Sequence, residues 1–226
     1  MAFCFYNEDE CHSIFICLFF MKKILLINCF LLLSCPLFAQ KKAKAYKDGE
    51  WLKYKMSYSG FFKAGTAELS LKETELDGKK VFHANGFGKT SDFIGWFFKV
   101  SDTYESYFDF NNNVPYLFKR DVNEGGYIIK RDTKFDHETK IATVEDFKYN
   151  TIKEVPFDNV QDMISAFYYL RNIDVDTIKT GDEIDLNMFF DSKTFAFKLR
   201  FLGNEVIKTK FGKIKTIKLR PIVQSG

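Results

Sequence analysis

Apolar and polar residues alternate with a period of two along most of the chain from Leu52 to Leu219, which is the pattern of half-buried β-strands. Short polar turns separate these segments, and Asp77-Gly78 is the clearest hairpin signal. Connections this short join antiparallel neighbours. The alternating segments are 52–58, 67–71, 80–88, 103–110, 116–121, 127–135, 141–147, 184–190 and 195–201, followed by a last hairpin that turns near Phe211-Gly212. The predicted fold is mainly β: a curved antiparallel meander sheet, as a half-barrel or open barrel, with one packed α-helix and a short helical segment.

The helix is predicted over 159–172, NVQDMISAFYYLRN, where apolar residues recur at helical spacing. Asn159 can cap its first turn, and Arg171 suits its carboxyl end. We expect the stripe to pack on the sheet as core, with covering a cavity as the alternative. Its members are Val160, Met163, Ile164, Phe167 and Leu170. Residues 91–100, SDFIGWFFKV, lack strand alternation and predict a short helix or a packed loop.

The amino-terminal segment has the organisation of a secretory signal peptide over 21–39, with a basic start, an apolar run and a small-residue cleavage site ending at Ala39. Residues 1–20 carry acidic residues where such a signal needs cations, and we interpret them as a misassigned upstream start. A flexible basic leader is expected over 40–47. Residues 48–226 are expected to form a single β-rich domain that is truncated at its carboxyl end, because the chain stops directly after an apolar strand.

All five cysteines precede the expected cleavage site, so the mature chain is predicted to lack disulfides and thiolate metal sites. Residues 32–35 loosely resemble a lipoprotein cleavage box in which Cys35 would carry lipid. Ordinary cleavage before Gln40 is the favoured interpretation, and membrane contact is expected only if Cys35 is lipidated. Either way the protein is expected to be exported, to the periplasm or in association with the outer membrane.

Charge and motifs argue against several classes of function. The formal net charge is +3 with the signs interspersed, which does not indicate nucleic-acid binding. His83 and His137 are the two histidines after the cleavage site, and neither has metal-type spacing. The carboxylates of 182–185 lack the spacing of a calcium loop. We therefore expect no metal, no cofactor and no catalytic residues.

Aromatic content is the unusual feature of the composition, with 27 Phe, 11 Tyr and 2 Trp. These side chains either fill the core or line a concave cavity for an apolar ligand. Trp96, Phe97 and Phe98 are consecutive and lie outside the predicted strands, so they cannot all face one core. They are the candidate ligand- or partner-binding residues, together with Phe167 on the predicted helix.

Four segments together resemble a family of exported bacterial proteins, domain of unknown function 3108. They are GEWLKYKMSYSGFFKAGTAELSL, FKVSDTYESYFDFNNNVPYLFKRDVNEGGY, VQDMISAFYYLR and GKIKTIKLRP. The resemblance covers nearly all of residues 48–223 and implies an envelope protein of Gram-negative bacteria with a curved antiparallel sheet. It implies no activity and no catalytic residues. Members usually continue for a few strands beyond Arg220-Pro221, which agrees with the expectation of truncation.

Three functions follow from these observations. The first is non-enzymatic binding of an apolar small molecule or lipid, such as an acyl chain, in the curved sheet. The second is a structural or assembly module that binds another envelope protein. The third is a hydrolase of an unrecognised type. A carrier requires a cavity, whereas an assembly module requires a filled core and an exposed patch.

Overall fold

The computed structural model describes residues 44–58 and 62–222, without the side chains of Tyr58 and Phe62. The expected upstream start over 1–20, the signal peptide over 21–39 with Cys35, and the first part of the leader lie outside the described residues. Within the described ranges, no helix is long and apolar enough to span a bilayer.

Eight consecutive strands form one sheet in which each strand pairs antiparallel with the next. The two end strands do not pair with each other, so the sheet is an open meander. Its strands are β1 Trp51–Tyr58, β2 Phe62–Leu76, β3 Lys79–Thr90, β4 Val100–Asp109, β5 Pro115–Glu124, β6 Tyr127–Asp136, β7 Ile141–Asp146 and β8 Thr151–Pro156. The prediction of a mainly β fold built on an antiparallel meander is confirmed.

A second sheet has four strands in the order β12-β11-β10-β9. Its strands are β9 Val160–Gln161, β10 Glu183–Phe190, β11 Lys193–Thr209 and β12 Gly212–Ile222. The two-residue strand β9 pairs parallel with β10, and the other pairs are antiparallel. The last hairpin turns at Phe211-Gly212, as the sequence predicts.

Two helices occur among the described residues, α1 Asp92–Gly95 and α2 Met163–Arg171. The prediction of Asn159 as the cap of the longer helix is wrong. Val160 and Gln161 pair with β10 instead, and the helix begins after Asp162, whose carboxylate accepts bonds from the backbone N–H groups of Ile164 and Ser165. A capping side chain here satisfies helix donors that otherwise have no partner.

The core lies between the inner face of the meander, helix α2 and strand β10. Its buried residues include Leu69, Leu71, Phe82, Ala84, Phe108, Phe118, Phe135, Val144, Ile164, Tyr168 and Phe189. On β3 the members of this set, Phe82 and Ala84, are two residues apart, as the period of a strand with one covered face requires. The predicted helix stripe is partly wrong, because Met163 is exposed while Ser165, Ala166 and Tyr168 are buried.

The hairpin predicted at Asp77-Gly78 is confirmed, since it joins the antiparallel strands β2 and β3. Asp77 and Gly78 have φ angles of +50° and +75°. Left-handed conformations at both central positions define a type I′ turn, which Asp-Gly favours. The twist of this turn matches the twist of the adjoining strands.

Two further elements depart from the sequence-based expectations. Strand β8 was not predicted, and its residues are exposed apart from Val155, which is half-buried. The end of the leader does not fit the expectation of a solvated segment, because Tyr46 is buried in the core and the Ala45 backbone N–H donates to Asn172 Oδ1 at 3.1 Å.

Candidate interaction surfaces

Asp162 is the ionisable group buried most deeply beneath the meander. It is fully buried, and Ser106 Oγ of β4 donates to its Oδ2 at 2.6 Å. Its own backbone N–H donates to Ser165 Oγ at 2.9 Å, which completes a capping box. Burial raises the pKa of Asp162 to about 6, and the hydrogen bonds that its carboxylate accepts from Ser106, Ile164 and Ser165 oppose the rise. Since Ser106 and Ser165 are also fully buried, the cluster fixes the helix to the sheet rather than facing solvent.

An aromatic cluster occupies the space beside this cap. Tyr168 is fully buried, and its ring lies 4.8 Å from that of Tyr46 and 5.3 Å from that of Phe108. Phe82 contacts Tyr46 and Phe108 in turn, at 5.4 and 5.8 Å. The Tyr168 hydroxyl has no hydrogen-bond partner among the described residues, and burial raises the pKa of Tyr168 above its usual value. This face of the sheet is therefore filled by the protein's own rings.

The segment before β1 is held across this cluster by polar contacts. Arg171 at the end of α2 donates to both carboxylate oxygens of Glu50, at 2.5 and 2.8 Å, and to the Ala45 carbonyl at 3.0 Å. Asn113 and Asn172 donate to the Tyr46 hydroxyl at 2.5 and 3.1 Å. A bidentate arginine–carboxylate pair fixes both distance and orientation. These contacts hold the Tyr46 side chain in its buried position in the core.

A cluster of charges joins the two sheets. Asp191, in the turn between β10 and β11, accepts hydrogen bonds from Arg120 at 2.6 Å and from Arg131 at 3.1 Å. Arg131 also donates to Asp146 at 2.5 Å. The Arg120 guanidinium lies 4.1 Å from the centre of the Phe190 ring, in a cation–π contact. Because the Arg120 side chain is nearly buried, it depends on Asp191 for its charge partner.

His83 and His137 lie apart from each other and do not form a catalytic group or a metal site together. His83 Nε2 lies 2.8 Å from Glu105 Oε2, and its ring stacks on Tyr107 with centres 4.1 Å apart. His137 Nε2 lies 2.7 Å from the Pro115 carbonyl oxygen. Within the described ranges, no group of three potential metal ligands comes together. His83 and His137, the histidines among the described residues, therefore each contact a neighbouring strand.

Open clefts on the surface of the described residues differ in the chemistry of their linings. One of about 390 Å³ has a mainly polar lining that includes Asn112 and Asn187. One of about 550 Å³ has both charged and apolar side chains in its lining, and one of about 570 Å³ lies beside Val206 and Ile217 of the β11–β12 hairpin. Apolar ligands bind in concave sites lined mainly by hydrophobic and aromatic side chains. Each of these clefts is open to solvent and has charged side chains in its lining, so none is an enclosed apolar site.

An exposed group of four aromatic side chains, the aromatic knob, lies in the connection between β3 and β4. The exposed fractions are 60% for Phe93, 83% for Trp96, 72% for Phe97 and 52% for Phe98. The Phe97 ring lies 5.9 Å from that of Phe93 and 5.2 Å from that of Trp96, so these three rings form one patch, and Phe98 follows directly in the chain. The Ser91 backbone N–H and hydroxyl donate to the Ala64 and Lys63 carbonyls, each at 2.8 Å, and fix the base of the knob to β2.

The next hairpin also supports the aromatic knob. Gly125 has φ of +59°, and a Cβ at this position would overlap the Phe98 ring. Its backbone N–H donates to the Lys99 carbonyl at 2.8 Å. The glycine therefore permits both the left-handed turn and the close approach of Phe98.

A family profile matches residues 53–226, which is well over half of the chain. Its description is "Protein of unknown function (DUF3108)". The chain belongs to this family. The DUF3108 match includes the aromatic knob, helix α2 and both sheets, apart from the first residues of β1. No curated protein and no solved structure matches the chain.

The four residues proposed from the sequence occupy two different settings in this DUF3108 fold. Trp96, Phe97 and Phe98 are together in the aromatic knob, whereas Phe167 lies on α2, packed against the core with its ring 5.4 Å from that of Tyr168. Sequence reasoning missed Phe93, which continues the knob, although its spacing of four residues from Phe97 on a helical segment was a usable signal. It also missed the charges at Arg120 and Asp191, for which no local signal exists.

Proposed function

We propose that this DUF3108 protein is a non-enzymatic module that binds another protein of the cell envelope through the aromatic knob. The observation that carries the proposal is the exposure of four aromatic side chains within six residues, three of which have their rings in contact. Contiguous exposed apolar patches are uncommon on monomeric proteins and mark sites of interaction. Buried tryptophan and other aromatic anchors also dominate the binding free energy of many interfaces.

The filled inner face argues against the alternative of an acyl-chain carrier. A carrier would need the space between sheet and helix, and Tyr46, Phe82, Phe108 and Tyr168 occupy that space in mutual contact. The surface clefts are open to solvent and have charged side chains in their linings. These observations favour the assembly module over the carrier.

The one hydroxyl–carboxylate cluster described above gives no support to a hydrolase, because it is closed to substrate. Ser106, Ser165 and Asp162 form hydrogen bonds with one another but are fully buried. A catalytic group must reach the substrate within hydrogen-bond distance, directly or through one water. This cluster instead stabilises the junction of helix and sheet.

The chemistry of the knob suggests the kind of partner. The segment 93–98 reads FIGWFF and has no charged side chain. Its complement is an apolar cleft on an envelope protein. Export through the predicted signal peptide would place the module where such a partner is reached, in the periplasm or at the outer membrane.

Photocrosslinking in the producing cells tests this proposal. A photoreactive phenylalanine analogue replaces Trp96, and in a matched control it replaces Trp51, which is also exposed but lies on β1. We expect one discrete crosslinked species from position 96 and none from position 51. Trp96→Ala should lower the free energy of unfolding by no more than about 0.5 kcal/mol, since the side chain makes few packing contacts.

Three outcomes would contradict the proposal. Equal crosslinking from both positions would show that the knob has no special role. Crosslinking to a second copy of this chain would replace the envelope partner by self-association. A loss of stability above about 2 kcal/mol in Trp96→Ala would show that the side chain is part of the core.

A further inference from the structure

The far end of the hairpin formed by β11 and β12 projects both of its faces into solvent. Cross-strand pairs place Val206 opposite Lys215 and Lys208 opposite Lys213 on one face, and Ile207 opposite Ile214 on the other. All six side chains are exposed. An isolated two-stranded ribbon is marginally stable in water, so this half of the hairpin depends on what it contacts.

This hairpin end is strongly basic. Residues 205–218 contain five lysines and one carboxylate, that of Glu205. Glu205 forms an ion pair with Lys218 at 3.0 Å, and Lys208, Lys210, Lys213 and Lys215 have no ion-pair partner among the described residues. Lys208 and Lys213 are directly opposite each other, and like charges in that position destabilise a sheet. An anionic surface would relieve this repulsion.

The turn adds an apolar tip to these cations. Phe211 is 80% exposed, and Lys210 Nζ lies 4.8 Å from the centre of its ring. Val206 is 59% exposed, and Ile207 and Ile214 continue the apolar surface toward the body of the sheet. A Phe at the tip with lysines on either side is the arrangement of elements that lie in a membrane interface, with apolar groups in the acyl boundary and cations at the phosphates.

We propose that the β11–β12 hairpin end, residues 205–218, docks on an anionic phospholipid surface. Lys208, Lys213 and Lys215 contact the lipid phosphates, and Phe211 enters the acyl boundary. The lysines complement the charge of lipid phosphates, and the exposed apolar tip at Phe211 favours a bilayer over a soluble polyanion. The inference is independent of the partner proposed for the aromatic knob, which is a separate segment.

Vesicle sedimentation tests the docking. The chain from Gln40 onward includes every described residue, and residues from Lys44 onward form a compact unit. It is mixed with vesicles of phosphatidylcholine alone and of phosphatidylcholine with 30% phosphatidylglycerol, at low and at physiological salt. We expect binding only to the anionic vesicles, weakened by salt. Lys208→Gln with Lys213→Gln should lower the partition coefficient roughly thirtyfold, and Phe211→Ser should lower it several-fold.

A charge-matched control distinguishes the hairpin from the net charge of the protein. Lys72→Gln with Lys153→Gln removes the same two charges from exposed positions on β2 and β8. This control should bind anionic vesicles as the unmodified chain does, and cooperative melting of all variants confirms that they are folded.

Several results would overturn the inference. They are equal losses of binding in the two double variants, equal binding to both kinds of vesicle, or no binding to either. Tight binding to heparin without binding to vesicles would also contradict it, because the hairpin would then recognise a soluble polyanion. Failure of the knob experiment leaves this result unaffected, since the two use different residues and different probes.

Discussion

The two sheets use the same alternation of apolar and polar residues but differ in what covers them. In the meander, α2, Tyr46 and Phe189 cover the middle of one face, and apolar residues there such as Phe82 and Phe108 are buried. In the far half of the β11–β12 hairpin, Val206, Ile207 and Ile214 alternate equally well but remain exposed. Alternation therefore predicts that a strand forms, and distant segments decide whether its apolar face becomes core or an interaction surface.

The largest expected effect lies in the covered sheet. Tyr168→Ala should lower the free energy of unfolding by about 3–5 kcal/mol, because it leaves a cavity between Tyr46 and Phe108. Tyr168→Phe should change it by less than about 1 kcal/mol, or raise it, because the buried hydroxyl has no partner among the described residues. Urea denaturation of both variants checks this pair. Equal losses would contradict the assignment of the ring as the stabilising group.

The pH dependence of stability tests the same covered region through Asp162. Its folded pKa of about 6 lies above the value of an exposed aspartate, so the folded state holds the proton more tightly. This contribution is complete below about pH 4 and is lost as the pH rises through 6, by about 3 kcal/mol. Asp162→Asn removes this titration while retaining an oxygen that can cap α2.

Urea denaturation at several pH values between 4 and 7 measures the effect. The difference in stability between the parent chain and Asp162→Asn should shift in favour of the variant as the pH rises. Other carboxylates titrate alike in both proteins, so they cancel in this difference. Parallel pH profiles would show that Asp162 titrates normally in the folded protein.

A smaller effect is expected where the two sheets meet. Asp191→Asn should lower the free energy of unfolding by about 1–2 kcal/mol, because it leaves the nearly buried Arg120 without this charge partner. Asparagine tolerates the φ of +47° at this turn, so the backbone need not change. Asp185→Asn on β10 removes an exposed pair with Lys198 and should cost less than about 1 kcal/mol. If the free energy of unfolding falls equally in both variants, the contact between the sheets contributes no more than an exposed ion pair.

The smallest effect is expected at the uncovered hairpin. Phe211→Ala should change the free energy of unfolding by less than about 0.5 kcal/mol, since the ring is exposed. Thermal and urea denaturation measure it alongside Tyr168→Ala. A loss comparable to that of Tyr168→Ala would show that the hairpin end is covered in solution and would remove the contrast between the sheets.

The sequence predicted those parts of the fold whose signals are local. The Asp77-Gly78 hairpin and the turn at Phe211-Gly212 follow from turn chemistry and alternation. Strand β8 was missed because an exposed edge strand has no buried face to impose a period of two. Helix α2 was predicted to begin too early because Val160, which is apolar in the helical register, is buried by pairing with β10.

The candidate site was predictable only in part. Three consecutive aromatic residues outside a strand indicated exposure, and the aromatic knob contains all three. The leader was interpreted from its lysines, whereas Tyr46 is buried through contacts with Asn113 and Asn172, far away along the chain. The contacts of Asp191 with Arg120 and Arg131 likewise depend on the arrangement of the two sheets. Such pairings arise from tertiary structure and leave no local pattern.

Native mass spectrometry of the chain from Gln40 onward, purified without detergent and washed at high salt, tests the central claim most directly. We expect the mass of the polypeptide alone from a protein that melts cooperatively, because aromatic rings fill the space beneath the meander. The salt wash removes lipid held only by the basic hairpin end. A stoichiometric lipid-sized adduct that survives the wash would contradict the account and restore the carrier.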